Sequence, residues 1–438
     1  MAGSDGIFFP KRRTIRLRPN GKKGSSILLP YGNSQIPVPW NGRIPPTVLE
    51  YRSAASAAPD ALIREALRQP VRGKRLDELA VGRKRAVILI SDGTRLCPSH
   101  LFLPALLESL NRGGISDDRI RIVVALGMHR QHTTDELKQL VGDSVYGRVE
   151  VANHSPYPEH CVHVGTTRNG TPIEINRDVV EADLRIATGG IEPHRLVGVS
   201  GGVKALVPGV ASRRCIETNH ALSQRYKARL GDPDNPIHRD LEEAHSAVPI
   251  HFLFNVIANH RRELLDAFAG ELAATHRRGL AAARARFFIP ADKKFDVVVA
   301  STGGHPKDAS LYQAIKTLQN ASAFAKSGGS IMLLARCEEH FGSGIFQHWV
   351  ETGQDRRAIA AKLRQQFVLG AHKVTHIDDI VTHQTVHLYS DMPEPIVELA
   401  GLIPVRNLEE TLNRLSRSAS CEAAFMPYGA LTFPLSES

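Results

Sequence analysis

The chain has 438 residues, 42% of them hydrophobic and 23% charged, with a formal net charge of +10. This length predicts two domains with sizeable cores, and no apolar run reaches the roughly 18 residues that a membrane helix needs. The positive charge favours small anions over nucleic acid: aromatics are only 6%, and no helix-turn-helix, zinc-finger or RNA-recognition signature accompanies the scattered Lys and Arg.

In chain order, the basic cluster Lys11, Arg12 and Arg13 has no apolar segment behind it, so a secretory signal is not expected. Four β-branched runs then end in polar, glycine-bearing turns, as buried parallel strands do where they meet their loops. Ala86 to Ile90 leads into Ser91-Asp92-Gly93-Thr94-Arg95, and Ile120 to Leu126 leads into Gly127-Met128-His129-Arg130. Thr133 and Glu136 form a capping box, which puts His129 in a strand-to-helix loop. Leu184 to Ala187 leads into Gly189-Gly190-Ile191-Glu192-Pro193-His194. An Ala/Arg-rich helix over Leu272 to Arg286 and a linker near Arg286 to Lys294 precede the fourth run, Phe295 to Ala300, which leads into Ser301-Thr302-Gly303-Gly304-His305. Asp308 is the expected N-cap of the next helix, and Ile331 to Ala335 the next strand. Five scattered cysteines without a CxxC pair (Cys97, Cys161, Cys215, Cys337, Cys421) argue against a disulfide framework or a thiolate zinc site and for a reducing compartment.

The pattern reads as α/β: two α/β domains with mainly parallel sheets. Ligands in open sheets of this kind bind outside the carboxyl ends of strands, which here deliver Asp92, Arg95, His129 and His194. The glycine-dense segment Gly189 to Gly209 carries Lys204, but Val203 precedes it where a phosphate loop requires glycine, and Ala205 follows where Ser or Thr is required. A lysine in such a loop can instead lose its charge and act as a nucleophile, although most lysines are simply solvated. His220 has no local metal-ligand partner. His129 and His194 suit proton exchange near neutral pH, or serve as hydrogen-bonded loop residues. Arg95 suits bidentate capture of a carboxylate or phosphate, or a loop ion pair with Asp92. Tyr312, Gln313 and Lys316 share one helical stretch, with Lys316 within reach of both neighbours.

Together Ser91 to Arg95, Ala125 to Arg130, Gly189 to Gly209, Asn219-His220 and Tyr312 to Lys316 resemble the nickel-dependent lactate racemase family, in its order and similar spacing. The resemblance implies a racemase or epimerase of a 2-hydroxy acid, lactate or a larger analogue, in the cytoplasm. Its cofactor would be nickel in pyridinium-3,5-bisthiocarboxylic acid mononucleotide, the nickel-pincer nucleotide, covalently attached at Lys204 with His220 completing the nickel coordination. Asp92, Gly93, Thr94 and Arg95 would contact the cofactor, His129 and His194 would be the acid/base pair, and Arg95, Tyr312, Gln313 and Lys316 would bind substrate. Partners would be the 2-hydroxy acid and cofactor-biosynthesis proteins, with no nucleic acid and no membrane. Residues 1–285 would form the cofactor-binding and catalytic domain and 290–414 the substrate-binding domain, with the active site in the cleft between them and the tail, 415–438, packing back on the first. The chemical logic is that an α-hydrogen beside a hydroxyl is too weakly acidic for histidine to remove, whereas hydride transfer avoids a carbanion. Met128 departs from the small polar residue expected before His129, and the extension around Lys11 to Ser26 lies outside the resemblance. The competing readings are a hydrolase or lyase with an ordinary metal and a binding protein for small anions; neither needs a modified Lys204.

Overall fold

A computed structural model describes residues 13–14, 18–19, 25–226, 228–352, 356–365, 368 and 370–435. Lys11 and Arg12 of the basic cluster lie outside these residues. The chain divides into two compact units, one spanning Ser53–Arg284 and the other drawn from both ends, up to Arg52 and from Ala285 onward.

The Ser53–Arg284 unit is built on a six-stranded sheet. Ala86–Ser91 pairs in parallel with Ile120–Ala125 on one side and Leu184–Gly190 on the other, and Glu150–Asn153 and Phe252–Ala258 extend it outward. Leu264–Gly270 closes one edge as an antiparallel hairpin partner. The interior strand Ala86–Ser91 is apolar up to its last residue because both faces are covered. Ile88 and Ile90 point into one buried cluster, and Val87 and Leu89 into another. The first three strands in the chain run one way from Ala86–Ser91 and the later ones run the other way. The order therefore reverses between Ala86–Ser91 and Leu184–Gly190, the position where such sheets hold ligands.

The second unit repeats the principle with seven strands. Phe295–Ser301 lies between Ala325–Leu334 and Ala423–Met426, all parallel. Val298 and Ala300 face the helices, including Leu311–Ser322 and His372–Val381, while Val297 and Val299 face the hairpin Ser25–Tyr31 and Ser34–Trp40.

Expectation and structure part company in four places. The domain division differs at both ends of the chain. Thr47–Val48 and the tail strand Ala423–Met426 pair with each other inside the second unit's sheet, so these two strands belong there and not with the first unit. The expected linker holds a strand, Phe288–Pro290, whose partner is Phe433–Leu435. Ser310, not Asp308, stands at the N-cap of the Leu311–Ser322 helix; buried Asp308 accepts instead from the Gly32 amide at 2.6 Å. The strand expected over Ile331 to Ala335 begins earlier, at Ala325. The capping box holds, with Thr133 N–H donating to Glu136 and Glu136 N–H to Thr133 Oγ1. The five cysteines are free. Among the described residues no helix is long and apolar enough to cross a membrane.

Candidate active site

The loop after Ala86–Ser91 turns tightly, with Arg95 N–H donating to the Asp92 carbonyl, and this drives the Asp92 side chain inward until it is 3% exposed. A carboxylate so buried must be compensated. It accepts from the Thr94 amide at 2.7 Å and from the Thr94 hydroxyl, lies 3.2 Å from His129 Nδ1, and pairs with Arg95 Nε at 3.6 Å. Burial pushes the Asp92 pKa up, but the His129 hydrogen bond and the Arg95 charge outweigh it and hold the carboxyl well below its usual range. His129 and Arg95 themselves stay about two-fifths exposed.

Two residues that the sequence reading passed over fix this loop. His132 Nε2 accepts from the Gly93 amide at 3.1 Å, and Arg262 donates to the Gly93 carbonyl at 2.7 Å. The His129 loop is tied in turn to the glycine-dense segment, since Gly127 N–H donates to Gly209 O and Gly209 N–H to Lys204 O. Met128 packs against the apolar cluster beneath.

Lys204 lies in a short 3-10 turn, Gly202–Ala205, that is pinned from below. Asn255, fully buried on the neighbouring strand, accepts from Gly202 N–H at 2.9 Å and donates to Gly189 O at 2.9 Å. His276 Nε2 bonds to Ser200 O at 2.9 Å. Two glycines make the approach possible: a Cβ on Gly201 (φ +77°) would lie 2.8 Å from Asn255 Oδ1, and one on Gly202 (φ +56°) 2.8 Å from the His276 ring. Although Lys204 remains partly exposed, burial of its ammonium, reinforced by the Arg95 charge, lowers its pKa to about 7.

His220 follows on the Arg213–Ala221 helix, which Ser212 caps and which buried Asn219 anchors to Asp240 at 2.9 Å. Burial, then the nearby Lys204, takes the His220 pKa down to about 4, partly offset by the Ile216 carbonyl. The ring is therefore neutral, and its buried Nδ1 makes no hydrogen bond of normal geometry. His194 stands on a small hairpin, Pro193–His194 with Gly198–Val199, where its Nδ1 accepts from the Leu196 and Val197 amides.

Thus Asp92, Thr94, Arg95, His129, Lys204 and His220 meet at the reversal point of one sheet, and His194 leaves the same strand end. Tyr312, Gln313 and Lys316 lie on the Leu311–Ser322 helix of the other unit, where Lys316 Nζ donates to Gln313 Oε1 at 2.7 Å. Buried Lys373, also passed over, sits 4.9 Å from the centre of the Tyr312 ring. His132, Arg262, Asn255, His276 and Lys373 act across long sequence separations and carry no local motif; among them only Asn255, His276 and Lys373 are marked by polarity in a buried position.

Known proteins give the assembly its context. The family model for the lactate racemase N-terminal domain matches residues 31–231 and that for the lactate racemase C-terminal domain residues 291–427. Lactate racemase of Thermoanaerobacterium thermosaccharolyticum is 34% identical over 347 residues, 77% of this chain and 81% of that protein. Lactate racemase of Lactiplantibacillus plantarum is 32% identical over 341 residues, 76% and 80% of the two. The apoprotein structure of the former superposes with a TM-score of 0.85 and 29% identity over 94% of this chain and all of that one. A Thermotoga maritima protein of 17% identity shares the fold, with a TM-score of 0.65 over 88% of this chain and all of that one. The chain belongs to the lactate racemase family of isomerases.

Proposed function

We propose that this chain racemises or epimerises a 2-hydroxy acid, lactate or a larger analogue, with a nickel-pincer nucleotide attached at Lys204. One observation carries the reading: a lysine on a turn pinned at the reversal point of the sheet, with its pKa lowered by burial, in a family whose relatives bear the name lactate racemase. An ammonium is no nucleophile, and a pKa lowered to about 7 gives far more neutral amine for a covalent link than an ordinary lysine has. His220, neutral and with Nδ1 in no hydrogen bond of normal geometry, has the chemistry of a metal ligand. Among the described residues no three His, Cys, Asp or Glu side chains are grouped to hold a metal, so a metal at His220 would draw its remaining donors from the cofactor.

When bound, the group supplies a hydride acceptor for the substrate α-carbon and returns the hydride to either face of the resulting 2-keto acid. The protein does the rest. Asp92, Gly93, Thr94 and Arg95 hold the cofactor, and the part-exposed Arg95 guanidinium also reaches the substrate carboxylate. Tyr312, Gln313 and Lys316 are the further substrate-binding residues of this reading. His129 and His194 exchange the hydroxyl proton. The setting is the cytoplasm, with dedicated biosynthetic proteins delivering the cofactor. The test is the intact mass of wild type and Lys204→Ala, each produced with nickel in a host that makes the pincer nucleotide. A nickel-bearing adduct on the wild type alone is expected; a folded wild type that stays unmodified where a known lactate racemase is loaded ends the proposal.

A further inference from the structure

His129 and His194 are held at the same ring atom by groups of opposite kind. His129 Nδ1 faces Asp92 Oδ2 at 3.2 Å. An ionised carboxylate only accepts, so this nitrogen carries the ring proton and Nε2 keeps its lone pair. His194 Nδ1 faces the Leu196 amide at 3.2 Å and the Val197 amide at 3.4 Å. Backbone N–H groups only donate, so here Nδ1 presents the lone pair and the neutral ring carries its proton on Nε2.

We infer that the two histidines rest in opposite tautomers, His129 as a ready base and His194 as a hydrogen-bond donor that cannot take up a hydroxyl proton until its Nδ1 leaves the 194–197 turn. The tautomers stand on the hydrogen bonds alone; their catalytic meaning rests on the racemase reading. For the enantiomer whose hydroxyl faces His129, the O–H proton passes to His129 Nε2 and the resulting imidazolium is balanced by Asp92. The bound cofactor would supply the two-electron acceptor for the α-hydrogen and its bonding pair, so that the substrate would become a 2-keto acid, two electrons oxidised. His194 Nε2–H can donate a hydrogen bond to that carbonyl. For the mirror-image substrate, His194 must first move its proton from Nε2 to Nδ1 through solvent, with no net change in protons, and both amide contacts break. The two directions therefore begin from unequal states of the same protein.

The tautomers are read directly by ring-nitrogen NMR of the ¹⁵N-histidine apoprotein above pH 8, with His129→Gln and His194→Gln assigning the signals by their loss. The expected spectrum has His129 protonated at Nδ1 and His194 at Nε2; His194 protonated at Nδ1, or both rings in one tautomer, overturns the inference. In cofactor-loaded protein, single-turnover keto-acid formation from the two enantiomers is expected to differ by tenfold or more. The faster one should be lost in His129→Gln and the slower one in His194→Gln, since each variant removes the base that its enantiomer needs. Equal rates from both enantiomers, or equal loss in both variants, would overturn the catalytic part. Absence of any turnover would count against the racemase reading while leaving the spectrum to judge the tautomers.

Discussion

The two units build the same kind of sheet and treat its carboxyl edge in opposite ways. In the Ser53–Arg284 unit the strand order reverses beside Ala86–Ser91, and the loops there carry Asp92, Arg95 and Lys204. In the other unit the order reverses beside Phe295–Ser301, and the chain stops that edge with its own hairpin tip. Ser301 donates to Pro30 O, His305 N–H to Gly32 O at 2.9 Å, and Gly32 N–H to Asp308 at 2.6 Å. A shared topology thus provides two equivalent edges, and the groups that cover each one decide whether it does chemistry.

The strongest way to break this contrast is to disarm the open edge. Asp92→Asn keeps the shape but lets the side chain donate to His129 Nδ1, which selects the wrong tautomer; racemisation by loaded enzyme is expected to fall on the order of 10³-fold with the adduct mass intact. Asn255→Leu would leave buried Gly202 N–H without its acceptor and remove the side-chain bond to Gly189 O, and urea unfolding is expected to show a loss of about 3 kcal/mol. A third test uses acid. Burial holds His154 near a pKa of about 4, and burial with neighbouring His276 and Lys204 takes His238 to about 3. Their folded values lie below the unfolded value of 6.5, so the unfolded chain binds more protons and stability is lost as pH falls from about 6.5 towards 4. Each ring contributes a slope of about 1.4 kcal/mol per pH unit there. Amide exchange followed by peptide at pH 7 and pH 5 should show weakening around residues 154 and 238, and His154→Gln should reduce it. The smallest effect belongs to the stopped edge. Asp308→Ala removes a charge-assisted bond worth about 2 kcal/mol and should speed proteolysis at Gly32 and Asn33 without altering cofactor attachment.

How much of this is legible in sequence depends on the range of the interaction. Strands such as Ala86–Ser91 show themselves because burial on both faces demands an unbroken apolar run. Thr133 and Glu136 do so because both halves of the cap lie three residues apart. The tail strand Ala423–Met426 escapes the same reading: Ala-Ala-Phe-Met has no β-branched residue, and nothing local tells a strand which sheet will receive it. Asp308 looks like an N-cap by type, but its oxygen is taken by an amide 276 residues away in the chain. At the site, Lys204 and His129 stand inside distinctive segments, whereas Asn255 and His276, which hold the lysine turn in place, are single polar residues in ordinary surroundings.

The central position of Ala423–Met426, between Thr47–Val48 and Phe295–Ser301, has a consequence for biosynthesis. A ribosome releases the chain from its N-terminus, and domains fold as their residues emerge. The Ser53–Arg284 unit has every strand of its sheet by Gly270, so the lysine turn can take shape while the remaining third of the protein is still being made. The strand Thr47–Val48, made before that unit, gains its partner only when Ala423–Met426 is translated after it, and the Lys204 turn is made in between.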